Sequence, residues 1–247
     1  MRLNRFYIND NLTTNAQLSL DKTVSNHISR VLRLKVGQQI RLFNGDGFDY
    51  QCELLETGKT AIVMVLRQQP NNTRSPLKTH LGQGISRTDR MDFSIQKAVE
   101  MGVDEITPLL TERVQFRLDK KRLEKKMRHW EGIIISACEQ SGRAHLAILN
   151  PPQPLNDWLQ DGAANQVPTL MLEPEAEHSI KQVLDDWSGD ELSTVRLVIG
   201  PEGGFSEQEL STAKADCALA QFGPRILRTE TAGVAALALL QHYLGDI

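Results

Sequence analysis

The stretch Val195–Glu209 has the sequence VRLVIGPEGGFSEQE, and the rest of the chain can be interpreted from it. Its first part, Val195–Ile199, is mostly apolar and rich in β-branched residues, which is typical of a buried strand. Glycine and proline then interrupt regular structure, and Ser206 with Glu209 forms the capping-box pattern that predicts a helix start. A strand, a glycine loop and a helix in this order indicate an open α/β sheet, whose ligands bind at the carboxyl ends of strands.

The composition of this glycine loop restricts the ligand that it can hold. The loop matches neither the Gly-x-Gly-x-x-Gly pattern of dinucleotide-binding proteins nor the phosphate-binding pattern that ends in Gly-Lys-Ser/Thr. Glu202 stands in its middle, and a carboxylate there repels a polyphosphate. The loop therefore favours an adenosine-type ligand without phosphates or a ligand with a positive centre, although a plain strand–helix turn would have the same pattern.

The composition is that of a globular protein, with 247 residues, of which 40% are hydrophobic and 24% are charged. The sequence has no signal-peptide pattern and no apolar run that could span a bilayer, so we expect a cytoplasmic protein without membrane contact. The three scattered cysteines indicate neither a disulfide framework nor a metal site.

Residues 1–150 carry 23 Lys and Arg against 16 Asp and Glu, whereas residues 151–247 carry 5 against 15. The basic first part favours an anionic partner, for which nucleic acid is the obvious candidate.

Residues 1–70 have the pattern of a small β-rich domain. We predict strands over residues 39–43, 48–55 and 60–66, with a hairpin at Asn44-Gly45-Asp46-Gly47. His27–Arg33 is predicted to form a short helix that leaves Arg30 and Arg33 exposed. Residues 71–76 are polar and end at a proline, so they are predicted to be the linker between two domains.

Residues 77–247 alternate strand and helix patterns, which predicts βα units and a mostly parallel sheet. The expected strands are residues 79–85, 106–110, 146–149, 168–172 and 195–199, and the expected helices are residues 89–101, 120–141, 179–187 and 231–244. The last helix is apolar nearly all round, so we expect it to be buried in the core or at a subunit interface. Arg228 and Glu230 are charged residues directly before it, and such residues are usually paired with each other or functional.

Several segments together resemble one family. They are GPEGGF at residues 200–205, FGPRILRTETA at 222–232, DRMDFSIQKAVEMG at 89–102, ACEQSGR at 137–143 and HISRVLRL at 27–34. Taken in chain order and over essentially the whole chain, these segments resemble the RsmE-type ribosomal RNA uracil-N3 methyltransferases of the SPOUT superfamily. Phe205 is a mild departure, because leucine is also common there in the family.

The resemblance implies an architecture that the residue patterns alone do not. Residues 1–70 would form a PUA-like β-barrel that binds RNA, residues 71–76 the linker, and residues 77–247 a SPOUT α/β domain with a deep trefoil knot. The family is dimeric, with the cofactor pocket at the interface. It uses S-adenosylmethionine and no metal to methylate N3 of one uridine in 16S ribosomal RNA of the small ribosomal subunit.

The resemblance also implies which residues form the site. For the cofactor these are Leu172, Glu173, Pro174, Ile199, Gly200, Pro201, Glu202, Gly203, Gly204, Phe222, Gly223, Leu227, Arg228, Thr231 and Ala232. A base must remove the N3 proton of uridine, and Glu230 and Glu202 are the candidates, while Arg228 could stabilise the negative charge on the uracil oxygens. Candidates for phosphate contacts are Arg5, Arg30, Arg33, Arg87, Arg90, Lys97, Arg113 and Arg143.

Two other interpretations stay open at the level of the sequence. The chain could be a related SPOUT enzyme that methylates a ribose 2′-OH or a tRNA base, or an RNA-binding ribosome assembly factor without activity. The intact glycine loop argues against the second. A nucleotidase is disfavoured because the phosphate-binding lysine is missing and Glu202 is present.

Overall fold

The computed structural model describes residues 3–113, 120–189 and 192–247. Contacts divide them into two compact units. The N-terminal unit contains the residues up to Arg74 together with Cys138–Leu146, and the C-terminal unit contains Ser75–Ala137 and Ala147–Ile247. The predicted linker at residues 71–76 divides the chain at a single point, so it does not predict that Cys138–Leu146 belongs to the N-terminal unit. Within the described ranges, no helix has the length and apolar character needed to cross a bilayer.

The N-terminal unit is built on a five-stranded sheet with the order β1-β3-β4-β5-β2. The strands are β1 (Arg5–Tyr7), β2 (Gln17–Ser19), β3 (Gln39–Phe43), β4 (Phe48–Glu56) and β5 (Ile62–Pro70). β1 pairs with β3 in parallel, and the remaining pairs are antiparallel. Gly45 and Gly47 have positive φ angles of 95° and 90°, which confirms the predicted hairpin between β3 and β4.

The predicted helix at residues 27–33 is only partly correct. The regular helix is α1 (Lys22–Asn26), which Asp21 caps, and it continues as a single π-helical turn over His27–Val31. Arg33 then has a positive φ of 52°, which ends the helix. Ile28 is completely buried in the core of this unit, whereas Arg30 and Arg33 are exposed as expected.

Arg5 joins the remote segment 138–146 to the N-terminal sheet. Its guanidinium donates to the carbonyl oxygen of Cys138 at 2.8 Å and to that of Arg143 at 3.2 Å, and it pairs with Asp49 at 2.7 Å. In addition, the Glu139 side chain accepts a hydrogen bond from the backbone N–H of Tyr7. Because the partners in the segment 138–146 lie more than 130 positions from Arg5 and Tyr7, the sequence pattern does not reveal them.

The C-terminal unit is a parallel α/β sheet, as predicted. Its strand order is β11-β13-β10-β12-β6-β7-β8, with β9 also beside β7, and the pairs are parallel. The strands are β6 (Lys78–Gly84), β7 (Glu105–Leu110), β8 (Ile148–Leu149), β9 (Gln153–Pro154), β10 (Thr169–Leu172), β11 (His178–Ser179), β12 (Thr194–Ile199) and β13 (Ala218–Gln221). β10, β12 and β6 are neighbours in the middle, so their carboxyl ends meet at one edge.

The helices are α2 (Thr88–Glu100), α3 (Lys120–Ser141), α4 (Leu155–Ala164), α5 (Ile180–Trp187), α6 (Glu207–Asp216) and α7 (Thr229–Leu244). The sequence predicts α3 with its bounds, and Gly142 ends it with a φ of 95°. It misses α4, because the Pro-Pro pair before this helix and the Asp-Gly pair within it are typical of a loop. α7 begins two residues earlier than predicted, so Glu230 lies in its first turn rather than in a loop.

Candidate functional site

A cavity of about 320 Å³ lies at the carboxyl edge of the parallel sheet. Three segments surround it: the end of β10 with the residues after it, the glycine loop after β12, and the residues between β13 and α7. The lining residues are Arg90, Leu172, Glu173, Pro174, Ile199, Gly200, Pro201, Glu202, Gly204, Phe205, Phe222, Arg225, Ile226, Leu227, Arg228, Thr229 and Ala232. The structure thus brings together residues that are up to 142 positions apart in the chain.

The glycine loop is held in shape from both ends. Ser206 caps α6, accepting from the backbone N–H of Glu209, and the Glu209 side chain accepts from the backbone N–H of Ser206 at 2.8 Å. This confirms the predicted capping box and start of α6. At the other end, a Cβ on Gly200 would lie 3.0 Å from the ring of Phe205, so a larger residue here would press against that ring. Gly204 has a φ of 66° and open space where a Cβ would be.

Glu202 connects the glycine loop to the N-terminus of α2. Its carboxylate accepts a hydrogen bond from the backbone N–H of Arg87 at 3.0 Å and pairs with the Arg90 guanidinium at 3.3 Å. The Glu202 carboxylate is thus already bound to the backbone and the side chain of residues at the start of α2. The structure therefore gives Glu202 a role in loop positioning that competes with the expected role as a base.

The cavity combines apolar walls with five charged residues, which are Glu173, Glu202, Arg90, Arg225 and Arg228. Leu172, Ile199, Phe205, Phe222 and Leu227 supply apolar surface, and Glu173 supplies a half-buried carboxyl. Burial raises the pKa of the Glu173 carboxyl, against the opposing effect of the backbone N–H of Glu175. The apolar walls suit a ligand with an apolar or aromatic part, and the charged residues supply both carboxylates and guanidinium groups for its polar part.

Arg228 and Glu230 occupy different positions relative to this cavity. Arg228 is the exposed residue before the first turn of α7 and lines the cavity. Glu230 does not line it, and the Oε2 atom of Glu230 is buried without a hydrogen-bond partner among the described residues. These positions do not support the alternative expectation, in which Arg228 and Glu230 form an ion pair that only shapes the loop.

Most of the cofactor residues expected from the resemblance line the cavity, and three do not: Gly203, Gly223 and Thr231. Gly203 instead contacts Arg113, whose guanidinium donates to the Gly203 carbonyl at 3.1 Å. Sequence reasoning missed Arg90, Phe205, Arg225, Ile226 and Thr229 as lining residues. Four of these residues lie inside the quoted motifs at 200–205 and 222–232, namely Phe205, Arg225, Ile226 and Thr229. Treating every residue of those motifs as a candidate lining residue would have included them.

Two of the expected phosphate contacts have to be withdrawn. The Arg5 side chain is only 3% exposed and is paired inside the N-terminal unit, and Arg143 is buried as well. Burial keeps both side chains away from RNA, and Arg5 also holds the segment 138–146 by donating to the carbonyl oxygen of Arg143. Arg30, Arg33, Arg87 and Arg113 are exposed, while Lys97 pairs with Glu100 and Arg90 pairs with Glu202.

Two family models match the chain. A model described as an RNA methyltransferase domain matches residues 73–241, and a model described as an RNA methyltransferase PUA domain matches residues 20–67. The first covers more than half of the chain. The second falls within the five-stranded sheet of the N-terminal unit.

Curated relatives match over nearly the whole length. The ribosomal RNA small subunit methyltransferase E of Buchnera aphidicola subsp. Schizaphis graminum is 38% identical over 248 residues, which cover 100% of this chain and 98% of the relative. The protein of the same name from Bacillus subtilis is 31% identical over 221 residues, which cover 87% of this chain and 86% of the relative.

Two solved structures have the same fold from end to end. A protein described as a methyltransferase from Legionella pneumophila, in complex with the bound cofactor SAM, has a TM-score of 0.93 and 36% identity. The ribosomal RNA small subunit methyltransferase E of Neisseria gonorrhoeae, bound to S-adenosyl methionine, has a TM-score of 0.90 and 34% identity. Each comparison covers 100% of both chains.

Proposed function

Because the chain belongs to the family of ribosomal RNA small subunit methyltransferase E, we propose that it methylates N3 of a uridine in small-subunit ribosomal RNA. It is an S-adenosylmethionine-dependent methyltransferase with a PUA-like N-terminal unit and a SPOUT-type α/β domain. The observation that carries the proposal is the cavity formed by three loops at the carboxyl edge of the sheet. The trefoil knot stays a prediction.

The residues of the cavity fit S-adenosylmethionine. Gly204 has no side chain and nothing lies within 4 Å of the position that a Cβ would take, so a ligand can approach the loop closely there. The apolar side chains can enclose an adenine ring, and the half-buried Glu173 can face a cationic centre. When bound, S-adenosylmethionine supplies an electrophilic methyl group on a sulfonium sulfur.

The remaining chemistry has to come from the chain itself. Uridine N3 is a poor nucleophile until its proton has moved to a base, and the charge that then develops lies largely on the uracil oxygens. Arg228, exposed on the rim of the cavity, is placed to stabilise that charge. Glu202 and Glu230 both stay candidates for the base: Glu202 lines the cavity but binds Arg87 and Arg90, whereas Glu230 Oε2 has no partner among the described groups but does not line the cavity.

A homodimer through the C-terminal unit is part of the proposal. Ile226, on the rim of the cavity, is 82% exposed, and Arg225 and Arg228 beside it are also exposed. A second subunit that covers this rim would bury the isoleucine and complete the pocket. Light scattering of the purified protein tests the dimer, and a monomer at micromolar concentration would contradict it.

The test of the function is methyl transfer from labelled S-adenosylmethionine to small ribosomal subunits that lack the modification, followed by nucleoside analysis. We expect N3-methyluridine at a single site. A 2′-O-methyl nucleoside, or transfer only to tRNA, would assign the enzyme to another RNA target. Failure to bind S-adenosylmethionine in calorimetry would instead favour the assembly factor without activity.

A further inference from the structure

A buried chain of hydrogen bonds lies beneath the glycine loop. Gln83, near the end of β6, is completely buried, and its side-chain nitrogen donates to the hydroxyl of Thr229 at 3.0 Å. The Thr229 hydroxyl lies 2.6 Å from the carbonyl oxygen of Gly200. Three segments that are separate in the sequence are therefore linked at this point: the end of β6, the glycine loop and the N-terminus of α7.

The direction of these hydrogen bonds follows from the groups themselves. The carbonyl oxygen of Gly200 can only accept, so the Thr229 hydroxyl must donate its single proton to it. That hydroxyl can then only accept from Gln83, whose second N–H donates to the carbonyl oxygen of Gly84 at 3.2 Å. These two hydrogen bonds determine the orientation of the Gln83 amide. If its oxygen faced the Thr229 hydroxyl oxygen or the Gly84 carbonyl oxygen instead, two acceptors would be in contact with no proton between them.

The end of β6 also packs so closely against the glycine loop that little space is left between them. A Cβ on Gly84 would lie 2.6 Å from the backbone nitrogen of Pro201, so the end of β6 touches the glycine loop directly. Gln83 is also the register partner of Ile199, the last residue before that loop. Gly200 and Thr229 line the cavity and Gln83 does not, so Gln83 acts on a ligand through its neighbours rather than by direct contact.

We propose that Gln83 is a positioning residue that fixes the cofactor-binding shape of the glycine loop through the Thr229 hydroxyl. The proposal rests on the proposed function, since it takes S-adenosylmethionine as the ligand of the cavity. Without the Gln83 amide, the Thr229 hydroxyl is free to turn away from Gly200, and the loop and the start of α7 lose their common anchor. The binding-competent shape is then less populated, which weakens the apparent affinity for the ligand.

The experiment compares Gln83→Met and Thr229→Val, which keep the volume and remove the hydrogen bonds, with Thr229→Ser, which keeps the hydroxyl. We expect the Kd for S-adenosylmethionine, measured by calorimetry, to rise about tenfold in the first two variants and to change little in the third. The double variant should bind like Thr229→Val alone, because Gln83 acts only through that hydroxyl. Affinity for small-subunit ribosomal RNA should stay unchanged.

A matched control is Thr107→Val, which removes another buried threonine hydroxyl from β7, where it bonds His80 away from the cavity. It should lower the thermal midpoint without changing the Kd. Normal S-adenosylmethionine affinity in Gln83→Met, or additive losses in the double variant, would overturn the proposal. Hydrogen exchange of residues 200–205 in the ligand-free variants is a second measurement, and it should become faster in Gln83→Met. That measurement still decides the proposal if the wild type binds no S-adenosylmethionine, an outcome that would refute only the proposed function.

Discussion

Arg228 shows how a single exposed residue can be assigned a testable role from its position. It lies before the first turn of α7 and on the rim of the cavity. If it stabilises charge on the uracil oxygens, Arg228→Ala should lower the single-turnover rate about a hundredfold. The Kd for S-adenosylmethionine should stay within about twofold of the wild-type value, because the interaction forms mainly in the transition state.

Arg225→Ala is the matched variant for this comparison, since Arg225 is also exposed on the rim of the cavity. We expect it to raise the KM for RNA and to leave the single-turnover rate nearly unchanged. Equal losses of rate and of S-adenosylmethionine affinity in Arg228→Ala would assign Arg228 to cofactor binding instead.

His80 makes stability depend on pH at a distance from the cofactor cavity. Burial lowers the pKa of His80 from 6.5 to about 4, the nearby Glu105 opposes the shift, and Arg196 adds to it. Below about pH 6.5, His80 therefore binds a proton in the unfolded chain, whereas in the folded chain it stays neutral until about pH 4. The stability that the neutral, buried His80 allows is fully present above pH 6.5, and the free energy of unfolding decreases progressively as the pH falls towards 4.

Urea unfolding at about pH 7.5 and about pH 5 measures this dependence. His80→Gln cannot titrate, so its unfolding midpoint should change less between the two pH values than that of the wild type. A variant with the same pH dependence as the wild type would assign the effect to other groups.

At the scale of an element, the capping box of α6 links local sequence to the site. Ser206 accepts from the Glu209 backbone N–H, and Ser206→Ala removes that bond at the end of the glycine loop. We expect a loss of about 1 kcal/mol in the free energy of unfolding. Ser211→Ala, at an exposed position within the same helix, should be nearly neutral. Equal effects of the two substitutions in chemical denaturation would contradict the importance of the cap.

The elements also differ in how well their sequences predict them. α3 and α6 follow from an apolar stripe and a capping box, which are local signals. α7 begins at Thr229 because its first turn is anchored by hydrogen bonds to Gly200 and Gln83, which no local pattern contains. The start of this helix therefore lies at Thr229 rather than at the predicted Thr231.

At the scale of the whole molecule, the basic character of residues 1–150 predicts salt-dependent binding of RNA. Arg30 and Arg87 are exposed, one in each unit, so Arg30→Gln/Arg87→Gln should weaken binding to small-subunit ribosomal RNA. The slope of log K against log salt concentration should decrease by about 0.7 to 0.9 for each phosphate that an arginine no longer neutralises. Lys181→Gln is the control, because Lys181 pairs with Asp185 on α5. An unchanged slope in the double variant would exclude both arginines from the RNA interface.

The sequence by itself determined the parallel α/β architecture and the glycine loop, because strand periodicity, glycine spacing and capping patterns are properties of short segments. The family followed from the resemblance of the quoted motifs. The tertiary structure decided which of the charged residues are available for function. Arg5 is buried as an anchor of the segment 138–146, Arg143 is buried within that segment, and Glu202 is held by α2. Burial and pairing depend on partners far away in the chain, so residue type and local spacing cannot reveal them. The same reason explains why the connection from Gln83 through Thr229 to Gly200 became visible only in the folded chain.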